Sequence, residues 1–474
     1  MTPFINSNFL LQGETARGLY HNIACQLPII DYHNHLDAKA IFENQKYQSI
    51  TEAWLSSDHY FWRALRSNGV EERYITGDAS DYKKFQMWCE TMPYLLGNPL
   101  YHWCHLELKT YFDLDLVIKP ENCDAIWEHC NRLLQLDSHS IQQLLLSSKV
   151  DTLCTTDDPL SDLAYHRKLS VSDFKVQVLP TFRADSLFDI ENAVGFNQVL
   201  RQLEQVTEIP ITDFESYAQA MLSRVQYFAD TGCCLSDLGL KIVDFALCLP
   251  KRLDYIMAKI QSFELLTQLE IAQFKTAVFR VLGKAYHKYG WSMQIHVGVL
   301  TNVNVRRLNS LGSGAGFSVI NDKTIANNLS LLLSMLDEKR QLPQTILYSV
   351  NPKDSVVLGS ILGAFQDSDC SPGKIQLGSA WWFNDHKSGM EQQLQDLANL
   401  GCLGRFIGML TDSRSVLSFS RHEYFRRILC NFIGEWADKG EIPNDADLLT
   451  QLVENICYLN AKRYFKFSHS HHKI

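Results

Sequence analysis

Two histidines, His33 and His35, stand two residues apart in DYHNHL (31–36), directly behind the apolar run LPII (27–30). Alternate residues of a strand face the same side. Both imidazoles can therefore point into one mouth, and so can Asp412 and Arg414 at the end of RFIGMLTDSR (405–414). Two imidazoles and a carboxylate are a reasonable ligand set for a divalent ion with open positions. The planar fork of an arginine matches a substrate carboxylate. The spacing alone is weak, because a chain with 16 histidines is expected to contain an H-x-H by chance about half the time. A second one, His469 and His471, lies in the tail SHSHHKI, which reads as a polar terminus with at most adventitious metal binding. The bland alternatives are strand-end histidines satisfied by hydrogen bonds, a hydrogen-bonding Asp412, and an Arg414 held in a surface ion pair.

The pattern around these residues supplies a scaffold for them. Apolar runs ending in polar residues occur at 27–36, 150–158, 176–185, 233–240, 293–300, 345–350, 374–380 and 405–414. Amphipathic helical patterns separate most of them, with apolar residues recurring every three or four positions. Eight strands alternating with helices predict an α/β fold, a distorted (β/α)8 barrel of the TIM type. A large, mostly helical insertion, at about 37–149, follows the first strand. No Pro/Gly/Ser-rich linker separates it, so residues 1–474 read as one domain. An open doubly wound sheet is the competing architecture, and the lack of a Gly-rich loop after the first strand counts against it. In such barrels chemistry sits at the C-terminal ends of the strands. Polar residues collect there: His33 and His35, Thr155 to Asp158, Arg183 and Asp185, Asp237, His296, Asp412 and Arg414.

Composition narrows the function. The chain has 474 residues, 46% of them hydrophobic and 20% charged, with a formal net charge of −9. That balance argues against general nucleic-acid binding. No apolar run reaches the length needed to span a bilayer, and no secretory signal opens the sequence. Thirteen cysteines with no C-x-x-C read as reduced thiols of a cytoplasmic protein.

Longer stretches carry a resemblance. DYHNHL (31–36), DHYFWRALRSNGVEERYITGDAS (58–80), GNPLYHWCHLELKTYF (97–112), CTTDDP (154–159), QIHVG (294–298), WWFND (381–385) and GMLTDSRSVLSFSRHEYFRRILCN (408–431) occur in order. In these the chain resembles the uronate (glucuronate) isomerases of the amidohydrolase superfamily. The resemblance implies aldose–ketose interconversion of D-glucuronate with D-fructuronate, and of D-galacturonate with D-tagaturonate, through an enediol. It implies one divalent metal ion, with zinc the expected metal, held by His33, His35 and Asp412, and no organic cofactor. His59 and Tyr60 would reach the substrate from the insertion, and Arg414 would grip a substrate oxygen or carboxylate. His296 is left between ligand and substrate contact, and Arg183 joins the substrate-binding set. Asp412 and Tyr60 are the candidates for proton transfer, with His59 beside them. The partner is a small sugar acid, with no nucleic acid and no membrane; self-association into a homo-oligomer is expected by analogy only.

Some positions depart from the family pattern. Leu238 stands for a histidine, Thr301 for an arginine, Gly314 and Ser318 for aspartates, and Ala184 for a proline. Three of these four groups would fall on the substrate face, so an impaired or substrate-shifted relative is one alternative. A hydrolase of the same superfamily, a deaminase or lactonase using a metal-bound hydroxide, is another.

Overall fold

The structure, a computed structural model, describes residues 3–368 and 370–467; the histidine-rich tail read above lies outside them. Ten strands form: β1 Ile29–Asp31, β2 Val150–Cys154, β3 Gln177–Leu179, β4 Phe182–Arg183, β5 Leu235–Leu240, β6 Ser292–Val297, β7 Val299–Leu300, β8 Val319–Ile320, β9 Thr345–Ser349 and β10 Ile375–Leu377. Two all-parallel sheets carry the site, ordered β1-β2-β3 and β10-β9-β6-β5-β4. A single parallel bridge, Asp157 to Phe182, links them. The α/β class expected from the alternating pattern is the fold observed.

The third predicted run splits into β3 and β4, because Pro180, which has no N–H to donate, sits between them. The eighth run does not form a strand. Residues 406–413 run beside β1 but join no ladder, and the backbone turns to positive φ at Gly408 (81°) and Asp412 (49°). Their carbonyls go to side chains instead: Asn460 Nδ2 donates to Phe406 O (2.8 Å) and Tyr32 Oη to Gly408 O (2.7 Å). Main-chain contact with the first strand resumes only at the mouth, where Asp412 N donates to His33 O (3.1 Å) and His35 N to Ser413 O (2.8 Å). An unpredicted antiparallel pair, β7 with β8, closes the loop after β6.

Helices fall where the patterns put them. Thr267 and Glu270 make a capping box for the helix Gln268–Tyr289, which ends at Gly290 in the left-handed conformation, φ 68°. This helix delivers the chain to β6, whose six residues are all buried. Such burial on both faces is what a central parallel strand requires. Between β1 and β2 there are helices and no strand, among them His59–Ser67 and Pro99–Phe112. Trp54, Phe61, Trp88 and Trp103 of this insertion share one apolar core with Val150, Phe182 and Ile295 of the sheets. No helix among the described residues is long and apolar enough to cross a membrane.

Candidate active site

The short strand β1 ends just before the histidines, and its neighbours hold them on both sides. Asn34 N donates to Cys154 O (3.1 Å), and Thr156 Oγ1 to Asn34 O (2.7 Å). On the other side lie the two main-chain bonds to residues 412 and 413 described above. Asp31 completes the clamp: its carboxylate accepts from Thr411 N (2.7 Å) and Thr411 Oγ1 (2.8 Å). The result is a tight trio. Asp412 Oδ1 lies 2.9 Å from His35 Nε2 and 3.4 Å from His33 Nε2. Asp412 Oδ2 accepts from Trp381 Nε1 (3.1 Å). Asp412 itself sits at φ 49°, a left-handed position that aspartate and asparagine tolerate better than most residues.

Charge is balanced within the trio. Burial pushes the Asp412 carboxyl up, but the bonds from His33 and His35 outweigh it and hold it well below the ordinary carboxylate range. Burial pulls the His35 imidazole down to about 4, against the pull of Asp412, so it is neutral and able to bind a metal at neutral pH. His33, His35 and Asp412 each offer a ligand atom, all within 4.8 Å of one another. His33 Nδ1 is buried without a hydrogen-bond partner. The donor set fits a divalent ion of the zinc type.

A second group sits on β4, β5 and β6, set by their register. Arg183 is directly opposite Asp237, and Arg183 Nη1 donates to Asp237 Oδ2 (2.6 Å). His296 Nδ1 lies 2.7 Å from Asp237 Oδ1. His33 Nδ1 is 3.7 Å from Asp237 Oδ2, so this 0% exposed carboxylate connects the two groups. Burial would raise the Asp237 carboxyl, but Arg183, His296 and His33 drive it far down. His296 stacks on its cross-strand partner Tyr348 with ring centroids 4.3 Å apart, and packs edge-on against Trp381 at 4.5 Å. Its Nε2 is buried without a partner. Arg183 Nε donates to Asp185 (2.7 Å), whose other oxygen accepts from Gly239 N (2.6 Å). A Cβ at Gly239 would come within 3.3 Å of Arg183 Nη2 and 3.4 Å of the Asp185 carboxylate, crowding that pair.

The insertion supplies the third group. Asp58 caps the helix His59–Ser67 by accepting from Tyr60 N (2.8 Å). His59 stacks on Tyr60 at 5.0 Å and packs at a tilt against Trp382 at 4.6 Å between ring centroids. Burial takes the His59 imidazole down to about 4. Burial, with Asp385 and Asp412 nearby, holds the Tyr60 phenol well above its ordinary value. His59 Nδ1 and Tyr60 Oη are both buried without partners. Arg414 is half-buried beside His35 and His59, and makes no hydrogen bond or ion pair among the described residues.

A cleft of about 320 Å³ opens next to these groups, lined by Arg183, Asp185, His296, Thr301, Trp381 and Trp382 among others. Trp381 is the wall shared with Asp412. Thr301 therefore does lie on the cleft. Leu238 does not: it is 5% exposed and packed in the apolar core, on the opposite side of β5 from Asp237 and Gly239. Gly314 is exposed at φ 80°, and Ser318 turns its carbonyl to Arg63 Nη1 (2.8 Å).

Of the residues singled out in the sequence, His33, His35 and Asp412 come together as the trio, Arg183 and His296 join it through Asp237, and Arg414 lies beside His35 and His59. Leu238, Gly314 and Ser318 do not line the cleft. Asp237 was visible there only as one more strand-end carboxylate, although strand alternation puts it on the same face as Gly239. Of the tryptophans of WWFND, equally readable as packing, Trp381 carries a polar contact to the trio, and Trp382 packs on His59. Asp31 and Arg421 gave no signal.

An α/β fold with a His/His/Asp trio, an unpaired arginine and a cleft at the carboxyl ends of its strands is the layout of a small-molecule enzyme able to hold a metal. The chain belongs to the glucuronate isomerase family, whose sequence profile matches residues 1–465. It is 46% identical over 467 residues to a uronate isomerase of Bacillus pumilus, covering 98% of this chain and 97% of that one. It is 47% identical over 468 residues to a uronate isomerase of Caldicellulosiruptor saccharolyticus, covering 98% and 100%. The crystal structure of a uronate isomerase from Thermotoga maritima superposes with a TM-score of 0.92 at 34% identity, over 98% and 99% of the two chains.

Proposed function

We propose that this site interconverts an aldose-type uronate and its ketose form, D-glucuronate with D-fructuronate and D-galacturonate with D-tagaturonate. The observation that carries the reading is Arg414. A half-buried guanidinium without a hydrogen-bond or ion-pair partner among the described residues, beside a trio able to hold a metal, calls for an anion. A divalent ion held by His33, His35 and Asp412, with zinc expected, would neutralise charge on the substrate carboxylate and a neighbouring hydroxyl. Arg414 pairs with a carboxylate or ring-opened oxygen. Arg183 and His296, fixed by Asp237, line the cleft and orient the hydroxyls. The isomerisation moves a proton from C2 to C1 as the carbonyl shifts from C1 to C2, so one group accepts a carbon-bound proton and another serves the oxygens. Asp412, an ionised acceptor, takes the C2 proton. Tyr60, kept neutral, donates to the oxygen that becomes the enediol hydroxyl. His59, uncharged near pH 7, stands beside Tyr60 and accepts from a substrate hydroxyl. The insertion at 37–149 is part of the same domain, which the shared apolar core supports. Thr301 on the cleft wall favours a second reading, in which the preferred uronate differs from that of relatives carrying arginine there.

Incubation with each uronate in deuterated water, followed by proton NMR with and without added zinc, tests this. Formation of the keto-sugar acid supports the isomerase. A folded, metal-loaded protein that converts neither sugar overturns it.

A further inference from the structure

Arg421 is the second residue of the helix Ser420–Asp438, which follows the site; it lies outside every group assigned above and is 1% exposed. Its guanidinium reaches three separate pieces of the active site. Nη2 lies 3.5 Å from Asp58 Oδ2, at the cap of the helix that carries His59 and Tyr60. Nη1 donates to Thr411 O (3.0 Å), the carbonyl next to Asp412, and lies 3.5 Å from Asp385 Oδ2, at the end of the turn that carries Trp381 and Trp382. The guanidinium plane is braced by aromatic rings, 4.0 Å from the Trp103 centroid and 5.6 Å from that of Tyr60.

These partners are far apart in sequence and belong to different layers. Asp58 comes from the insertion, while Asp385 and Thr411 come from the strand-end segments. Asp58 divides its two oxygens, Oδ1 on Tyr60 N and Oδ2 on Arg421. A displacement of the guanidinium therefore moves the first turn of the Tyr60 helix relative to Asp412. Lysine, with one point charge, could not span three acceptors in different directions.

We infer that Arg421 is a positioning residue, fixing Tyr60 and His59 against Asp412 at the separation that proton transfer needs. The inference rests on the isomerase reading above. Arg421 touches neither the trio nor the cleft, so its loss should leave metal binding and substrate affinity nearly intact while lowering turnover. Groups that hold reacting side chains in place typically act at the level of 10- to 100-fold.

The test compares parent, Arg421→Ala, Asp58→Asn and the double variant, each with folding by circular dichroism, metal per chain by elemental analysis, and kcat and KM on glucuronate. Asparagine at 58 keeps the cap on Tyr60 N–H but removes the charge facing Arg421. Arg421→Ala should lose about 10- to 100-fold in kcat, with KM within about threefold of the parent and metal content unchanged. The double variant should be no slower than Arg421→Ala alone, because both changes cut one link. Millimolar guanidinium should restore part of the turnover of Arg421→Ala. A parent-like kcat, a loss explained by missing metal, or losses that multiply in the double variant would overturn the inference. Should Arg421→Ala fail to fold, Asp58→Asn and Asp385→Asn decide: reduced kcat with full metal content supports the link, and parent-like kcat in both refutes it. An inactive parent would instead refute the isomerase reading.

Discussion

The Arg183–Asp237–His296 group and the Arg414–His59–Tyr60 group both border the His33–His35–Asp412 trio, yet they are built in opposite ways. In the first, nearly every charge is spent on a neighbour: Arg183 bonds Asp237 and Asp185, and Asp237 bonds Arg183 and His296. In the second, among the described residues, Arg414 has no hydrogen-bond or ion-pair partner, and His59 Nδ1 and Tyr60 Oη are buried and unpaired. Buried polar groups are normally satisfied. The contrast teaches that pairing separates what holds the site together from what receives the substrate. The two regions should fail differently when cut.

The trio between them should show the largest effect. Asp412→Asn keeps a side chain suited to the left-handed backbone at 412, so the fold survives. Turnover should drop at least about 10³-fold, measured as kcat/KM by proton NMR against unfolding curves for both proteins. Cutting the paired region should cost stability. Arg183→Met leaves the fully buried Asp237 without its 2.6 Å partner, and should destabilise the protein by about 3–5 kcal/mol in denaturant titrations.

Glu107 in the insertion sharpens the comparison from a third place. It is buried with one short bond, from Trp54 Nε1 (2.5 Å). Burial raises its carboxyl to about 7, against the opposing pull of Arg421. A folded-state value above the unfolded one means that stability is full below about pH 4 and falls as pH rises to 7, then levels off. Glu107→Gln removes that fall. Its stability relative to the parent should grow between pH 5 and pH 8, by at most about 3 kcal/mol.

The smallest change in the fold is expected from the unpaired region. Arg414→Met breaks no hydrogen bond or ion pair among the described residues, so unfolding curves should move by less than about 0.5 kcal/mol. KM for glucuronate should rise about 10- to 100-fold, the worth of one charge-assisted bond to substrate. A large stability loss in this variant would erase the distinction between the two regions.

Much of this architecture was legible in the sequence. Seven of the eight apolar runs became parallel strands, because buried parallel strands read as continuous apolar segments. His33, His35 and Asp412 do come together, but not by strand alternation: β1 ends at Asp31, and residues 405–414 form no strand. The eighth run misled because its polar partners are side chains from Asn460 and Tyr32, contacts that no local pattern announces. Leu238 misled differently. It sits one residue from Asp237, and one residue in a strand is the difference between the cleft and the core. Arg421 was invisible, since a buried arginine in an amphipathic helix looks like its exposed face until partners from residues 58, 385 and 411 are in place.

The bond from Trp381 Nε1 to Asp412 has an optical consequence. An indole whose N–H rests on the carboxylate of the trio will feel any change in that carboxylate's charge. Among nine tryptophans, Trp54, Trp88 and Trp103 are shut in the core, while Trp381 and Trp382 border the cleft. Zinc or a uronate entering the site should therefore shift the intrinsic emission, and Trp381→Phe should silence most of that shift. The protein carries its own fluorescent gauge of occupancy, readable without turnover and without a label.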